Sequence, residues 1–127
     1  MSTLKRYTVI VTTDSGSSAF EDAELTLSEQ PMGDLAPPMF VGSLGACEGA
    51  ALVQFDAFHG EPHPAVPAQW VVPLRGVIEV EVSDGTSRRF GPGDLLLATD
   101  SSGQGHITRV VGDTPFEGLG IPRTPAG

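Results

Sequence analysis

The chain has 127 residues and carries 16 acidic against 7 basic side chains, a formal net charge of −9. That length fits one domain burying roughly two thirds of the surface its unfolded chain exposes. The charge excludes a nucleic-acid surface, which needs clustered Lys and Arg to neutralise phosphate. The one cysteine, Cys47, excludes an intramolecular disulfide. No charged-then-apolar leader opens the chain and no apolar run reaches membrane length, so the expected location is the cytoplasm.

The 16 Gly and 11 Pro are spread along the chain, and no sustained helical repeat appears. Short strands punctuated by Gly and Pro predict an all-β sandwich or barrel. Residues 5 to 13 (KRYTVIVTT) are β-branched and aromatic and fit a strand. DSGSS at 14 to 18 turns, and Phe20 to Leu27, with partial alternation, reads as a strand in preference to one short helical turn. Residues 30 to 49 are irregular, and Pro37-Pro38 rules out a central strand there. This long loop is expected to cover one end of the barrel.

Residues 50 to 58 (AALVQFDAF) predict a strand. HGEPHPAVPA follows, a stiff connection whose prolines cannot donate a full hydrogen-bond ladder. Gln69 to Leu74 is the next strand, then Arg75-Gly76 turns. From Val77 to Ser83 the chain alternates cleanly, with Ile78, Val80 and Val82 on one face and Glu79 and Glu81 on the other. Asp84-Gly85 is a hairpin signal, Gly91-Pro92-Gly93-Asp94 a second tight turn, and Leu95 to Ala98 a buried strand. Ser101 to Gly105 reads as a flexible polar loop. His106, Thr108 and Val110 share one face of a strand, with Arg109 on the other, and Phe116 to Ile121 is the last strand before a loose tail.

From Ala50 to Ile121, a strand ending in Gly76, a hairpin through Asp84-Gly85, the run FGPGD, a strand, a Gly-rich loop and a His resemble the two motifs of the cupin superfamily. The resemblance implies a double-stranded β-helix, a jelly-roll barrel. It also implies a ligand set of two His one residue apart, a Glu and a third His. Counted back from Gly76, those positions fall at His63, Ala65 and Gln69, and the third His falls at His106. Two imidazoles remain, and the carboxylate is replaced by an amide.

The candidate catalytic set is therefore His63, Gln69 and His106, and the same three are the candidate metal ligands. Two imidazoles and an amide oxygen can hold a divalent ion such as Fe, Zn, Ni or Mn, completed by water, His59 or Glu61. Without metal, the same histidines serve as acid and base, because their charge changes near neutral pH. Asp100 is a candidate acceptor for His106. Phe55, His59, Val71, Ile78 and Leu96 are expected to wall a substrate site suited to an apolar body. Trp70 alternates away from Gln69 toward packing, and Cys47 has no base or cation near it in sequence.

Two functions stand. One is a cupin-type enzyme, an isomerase, cyclase, lyase or dioxygenase acting on a small molecule. The other is a non-catalytic ligand-binding or structural cupin. A homodimer is expected, paired through the Tyr7–Val11 region, with no nucleic-acid or membrane partner.

Overall fold

A computed structural model describes residues 2–56 and 60–125. These residues form ten strands: β1 (Ser2–Thr12), β2 (Ser18–Gln30), β3 (Met39–Val41), β4 (Ala51–Phe55), β5 (Gln69–Arg75), β6 (Ile78–Val82), β7 (Ser87–Phe90), β8 (Leu96–Ala98), β9 (His106–Val110) and β10 (Phe116–Pro122). A seven-stranded sheet runs β3-β2-β1-β8-β5-β10-β4, and a three-stranded sheet runs β7-β6-β9. Every ladder is antiparallel except β1 with β8. The protein is all-β, as expected, but the two sheets are separate layers and do not close into a barrel. Among the described residues no helix is long and apolar enough to cross a membrane.

The alternation read in β6 sets the inner layer. Ile78, Val80 and Val82 are all nearly fully buried. They pack with Phe90 of β7 and with Ile10, Leu96, Ala98 and Phe116 of the large sheet in one apolar cluster. The outward Glu79 and Glu81 meet Arg89 and Arg109: Arg89 Nε lies 3.1 Å from Glu79, and Arg109 lies 3.2 Å from Glu79 and 2.5 Å from Glu81. Arg109 thus takes the surface role its parity assigned.

Turn chemistry carries the chain between layers. At Gly91–Asp94, Asp94 N donates to Gly91 O at 3.0 Å, and Gly93 sits at φ 96°. Pro then Gly at the two central positions is the type II arrangement, and it moves the chain from β7 in the small sheet to β8 in the large one. The β6–β7 hairpin is a three-residue variety, not a two-residue primed turn. Gly85 N donates to Val82 O at 3.0 Å, and only Gly85 takes a positive φ there. Two hydrogen bonds from Thr86, the side-chain one first, hold the exposed Asp84 carboxyl below its ordinary value.

Pro73 lies in β5 beyond residues 69–71, where the β8 ladder has ended and only β10 pairs with it. Its missing N–H coincides with a register shift between Glu117 and Gly118 of β10. Other boundaries differ from the sequence reading. β2 runs on to Gln30 because β1 pairs with it as far as Ser28 and β3 pairs with Ser28 to Gln30. The irregular segment contributes β3, an edge strand as its prolines require. The rest of that segment does not cap a barrel end. It crosses the outer face of the large sheet, where Leu44 O accepts from Trp70 Nε1 at 2.8 Å. Trp70, only 3% exposed, also packs on Tyr7 with ring centroids 5.1 Å apart. The tail is tied down rather than loose: Arg123 N donates to Ala68 O and Thr124 N to Ala46 O, both at 2.9 Å.

Truncating the core should be far costlier than truncating the exterior. Ile10→Ala removes a side chain with no exposure and should lower unfolding free energy by about 2–5 kcal/mol. Leu35→Ala, at a residue 91% exposed, should change it by no more than about 0.5 kcal/mol. Urea unfolding of the two variants measures the contrast.

Candidate functional site

The site is assembled by the proline-rich connection before β5. Pro62 and Pro64 have no N–H, so His63 is the donor between them. His63 N donates to His106 O and His106 N to His63 O, both at 3.0 Å, and Gly60 N donates to Thr108 O at 2.9 Å. The segment thus runs antiparallel alongside the start of β9. Gly105 makes this approach possible. A Cβ there would stand 2.1 Å from the His63 carbonyl carbon, and the residue sits at φ 72°. Ala65 N then donates to Asp100 O at 2.9 Å, linking the segment to the chain just after β8.

The 101–105 loop, expected to be flexible, is held from the other side. Gln104 N donates to Gly16 O at 2.9 Å, Thr12 Oγ1 to Ser102 O at 3.1 Å, and the buried Ser18 Oγ to Gly105 O at 2.5 Å. A loop of small polar residues looks mobile by composition, but here the β1–β2 turn supplies its partners.

The two imidazoles face one another as antiparallel partners, with ring centroids 5.1 Å apart and planes inclined at 55°. His106 is 8% exposed, and its Nδ1 lies 2.6 Å from Asp100 Oδ2. Asp100 is fully buried, and its Oδ1 has no hydrogen-bond partner among the described residues. His63 is exposed at the rim, with Nδ1 3.0 Å from Pro64 O. A carboxylate and a carbonyl both accept, so each Nδ1 is assigned the proton in the neutral ring. Each Nε2 is then the free basic nitrogen.

These residues open onto a cavity of about 270 Å³ between the sheets. Phe55, Val71, Ile78 and Leu96, the expected wall residues, line it together with His63, Gln69 and His106. His59 lies outside the described residues. Val53, Thr108, Phe116, Gly118 and Gly120 also line the cavity, and the sequence reading missed them. The signal for the last three was available: Phe116, Gly118 and Gly120 alternate along β10, and all three are buried. Phe55 and Phe116 lie stacked with centroids 6.1 Å apart and planes at 22°.

The described donors do not make a firmly held divalent-ion site; His59, a further ligand candidate, lies outside them. Among the described residues no group of three or more His, Cys, Asp or Glu side chains converges. His63, His106 and the Gln69 amide supply no anionic ligand. Asp100, the one carboxylate at this site, is turned to the Nδ1 side of His106. What the arrangement can do chemically is move protons: one imidazole is buried and backed by a carboxylate, and a second sits at the rim. Cys47 stands apart, half-buried, its Sγ 3.4 Å from Gly45 O.

No protein-family model matches the chain, and no curated protein sequence matches it.

Removing the imidazole should be structurally expensive, because it strands a buried carboxylate. His106→Ala should destabilise the fold by about 3–5 kcal/mol. Asp100→Asn, whose amide oxygen can still accept from Nδ1, should lose much less. Thermal and urea denaturation of both variants test this ordering.

Proposed function

We propose that the chain is a small-molecule-binding protein of cupin type, an enzyme that acts on an apolar-bodied organic substrate between its sheets by histidine acid–base chemistry. The observation that carries this reading is the buried His106–Asp100 contact, 2.6 Å long, facing His63 across the mouth of an apolar cavity. The cupin assignment draws on the hairpin, the FGPGD turn and the two-sheet topology. Location in the cytoplasm belongs to the same proposal.

In this mechanism His106 Nε2 takes a proton from the substrate, and the Asp100 carboxylate stabilises the imidazolium that forms. His63 Nε2, in its protonated form, returns a proton at another atom. The Gln69 amide N–H donates to the oxygen on which charge develops. Such a sequence suits isomerisation, cyclisation or elimination, each a redistribution of protons around a carbonyl or enol. Dioxygenation is not part of this mechanism, because the described donors include no group of three convergent ligands and no step is routed through a metal.

Two measurements test the proposal. α-Proton exchange of small neutral aryl ketones in D2O, followed by NMR, should run about 10²–10⁴-fold faster with the protein than with His106→Gln. Exchange at the buffer rate, with ketone binding unchanged in the variant, would leave the non-catalytic ligand-binding reading in its place. Metal analysis of untagged protein is the second measurement. A stoichiometric divalent ion that disappears in His63→Ala would replace acid–base with metal-assisted chemistry.

A homodimer is also proposed, on a different surface from the one expected. Residues 8–10 of β1 are paired on both sides, and Tyr7 packs on Trp70, so this strand offers no free edge there. Met39, Phe40 and Val41 are instead 49%, 39% and 51% exposed on the edge strand β3. Light scattering at micromolar concentration should give twice the chain mass, and Val41→Lys should return it to a monomer.

A further inference from the structure

The floor of the cavity is built by omission. On β10, Phe116, Gly118 and Gly120 point between the layers, so two of three inward positions have no side chain. The two glycines differ in why space is left there. A Cβ on Gly118 would come 2.9 Å from the Val72 carbonyl oxygen, which is backbone and cannot yield. A Cβ on Gly120 would meet only Gln69 Oε1 at 3.1 Å and Val53 Cγ2 at 3.6 Å. Gly120 is also outside the positive-φ region. Backbone geometry therefore does not demand glycine at 120, and in a strand interior glycine costs about 0.5–1 kcal/mol against alanine. What the missing Cβ leaves free is the seat of the Gln69 amide.

That amide is half-buried, and no described residue hydrogen-bonds it. Its atoms stay reachable from the cavity, since among the described residues only Asp100 Oδ1 is both fully buried and unpartnered; a ligand that displaces solvent there must supply a partner or leave the amide desolvated, at a cost of about 1–3 kcal/mol. The remaining described lining carries no Lys, Arg, Asp or Glu. Against neutral His63 and His106 imidazoles, a charged head would lose its hydration there without a counter-charge, which is prohibitive. An amide offers both a donor and an acceptor, and so matches a carbonyl or a hydroxyl. The volume, about 270 Å³, lies just below the roughly 300–1,000 Å³ of sites for drug-sized ligands, which favours a body of single-ring size.

We propose that the Gln69 amide, seated over Gly120, selects the ligand: an uncharged molecule with an apolar, single-ring body and a carbonyl or hydroxyl head. The inference rests on reading the cavity as a ligand site. It adds the class of molecule and names Gly120 as a positioning residue that acts through Gln69.

The test uses four probes of similar shape, titrated into full-length, ¹⁵N-labelled protein and followed by NMR: acetophenone, ethylbenzene, benzoate and benzylammonium. Acetophenone should bind about 3- to 10-fold more tightly than ethylbenzene and shift the Gln69 side-chain amide resonances. The two charged probes should bind at least about tenfold more weakly than acetophenone. Gln69→Leu should abolish the preference for acetophenone while ethylbenzene binds as before. Gly120→Ala, by displacing the amide, should reduce the preference in the same way without touching Gln69 itself. Equal binding of acetophenone and ethylbenzene to the unaltered protein, or a preference that survives Gln69→Leu, overturns the selector role and leaves the cavity as a ligand site. Binding of none of the four overturns the ligand-site reading and the selector with it. If Gly120→Ala does not fold, Gln69→Leu decides alone.

Discussion

The paired backbone contact between His63 and His106 is the constraint on which the site depends. Two reciprocal hydrogen bonds of 3.0 Å join a proline-rich connection to the first residue of β9. They bring together two histidines 43 positions apart in the chain, and they require glycine at 105 because any side chain there would strike the His63 carbonyl. The same connection reaches Asp100 through Ala65, so one segment touches both the small sheet and the end of β8 in the large one. The mouth of the cavity is framed by this backbone closure of the proline-rich segment onto β9.

The electrostatics follow from this closure. Asp100 is buried without any Lys or Arg contact, and its one described side-chain partner is the His106 ring. Such an arrangement is poor value as a stabilising ion pair, since desolvation offsets most of the attraction. It does fix which nitrogen of His106 is free. A fixed tautomer matters little to a packing residue and a great deal to a proton-transferring one, and the proposed acid–base role rests on that difference. The apolar wall of Phe55, Val71, Leu96 and Phe116 lowers the local dielectric, which would strengthen the electrostatics of the proposed proton transfer.

Much of the fold was legible because it is local. The alternation of β6, the Pro-Gly order of the Gly91–Asp94 turn and the outward parity of Arg109 depend only on neighbours in sequence, and each appears as read. The wall residues Phe55, Val71, Ile78 and Leu96 were legible for the same reason, as inward positions of strands. Other features were not local. β3 exists because β2 offers it an edge, and Trp70 is buried because a segment 26 residues earlier crosses the outer face. The stiffness of the 101–105 loop comes from Gly16 and Ser18, far upstream. No periodicity within a loop can report partners supplied by a distant turn.

The sequence alone determined an all-β chain, its main turns, and a short list of polar residues, His63, Gln69 and His106, among apolar strands. Side-chain period and turn chemistry are properties of a few consecutive residues, so they can be read without a structure. Tertiary structure decided that the sheets remain two layers, that a carboxylate sits behind His106, and that Gly120 on β10 lies against the Gln69 amide. Those depend on which strands meet and on how close two backbones come, and only the packed molecule sets that distance.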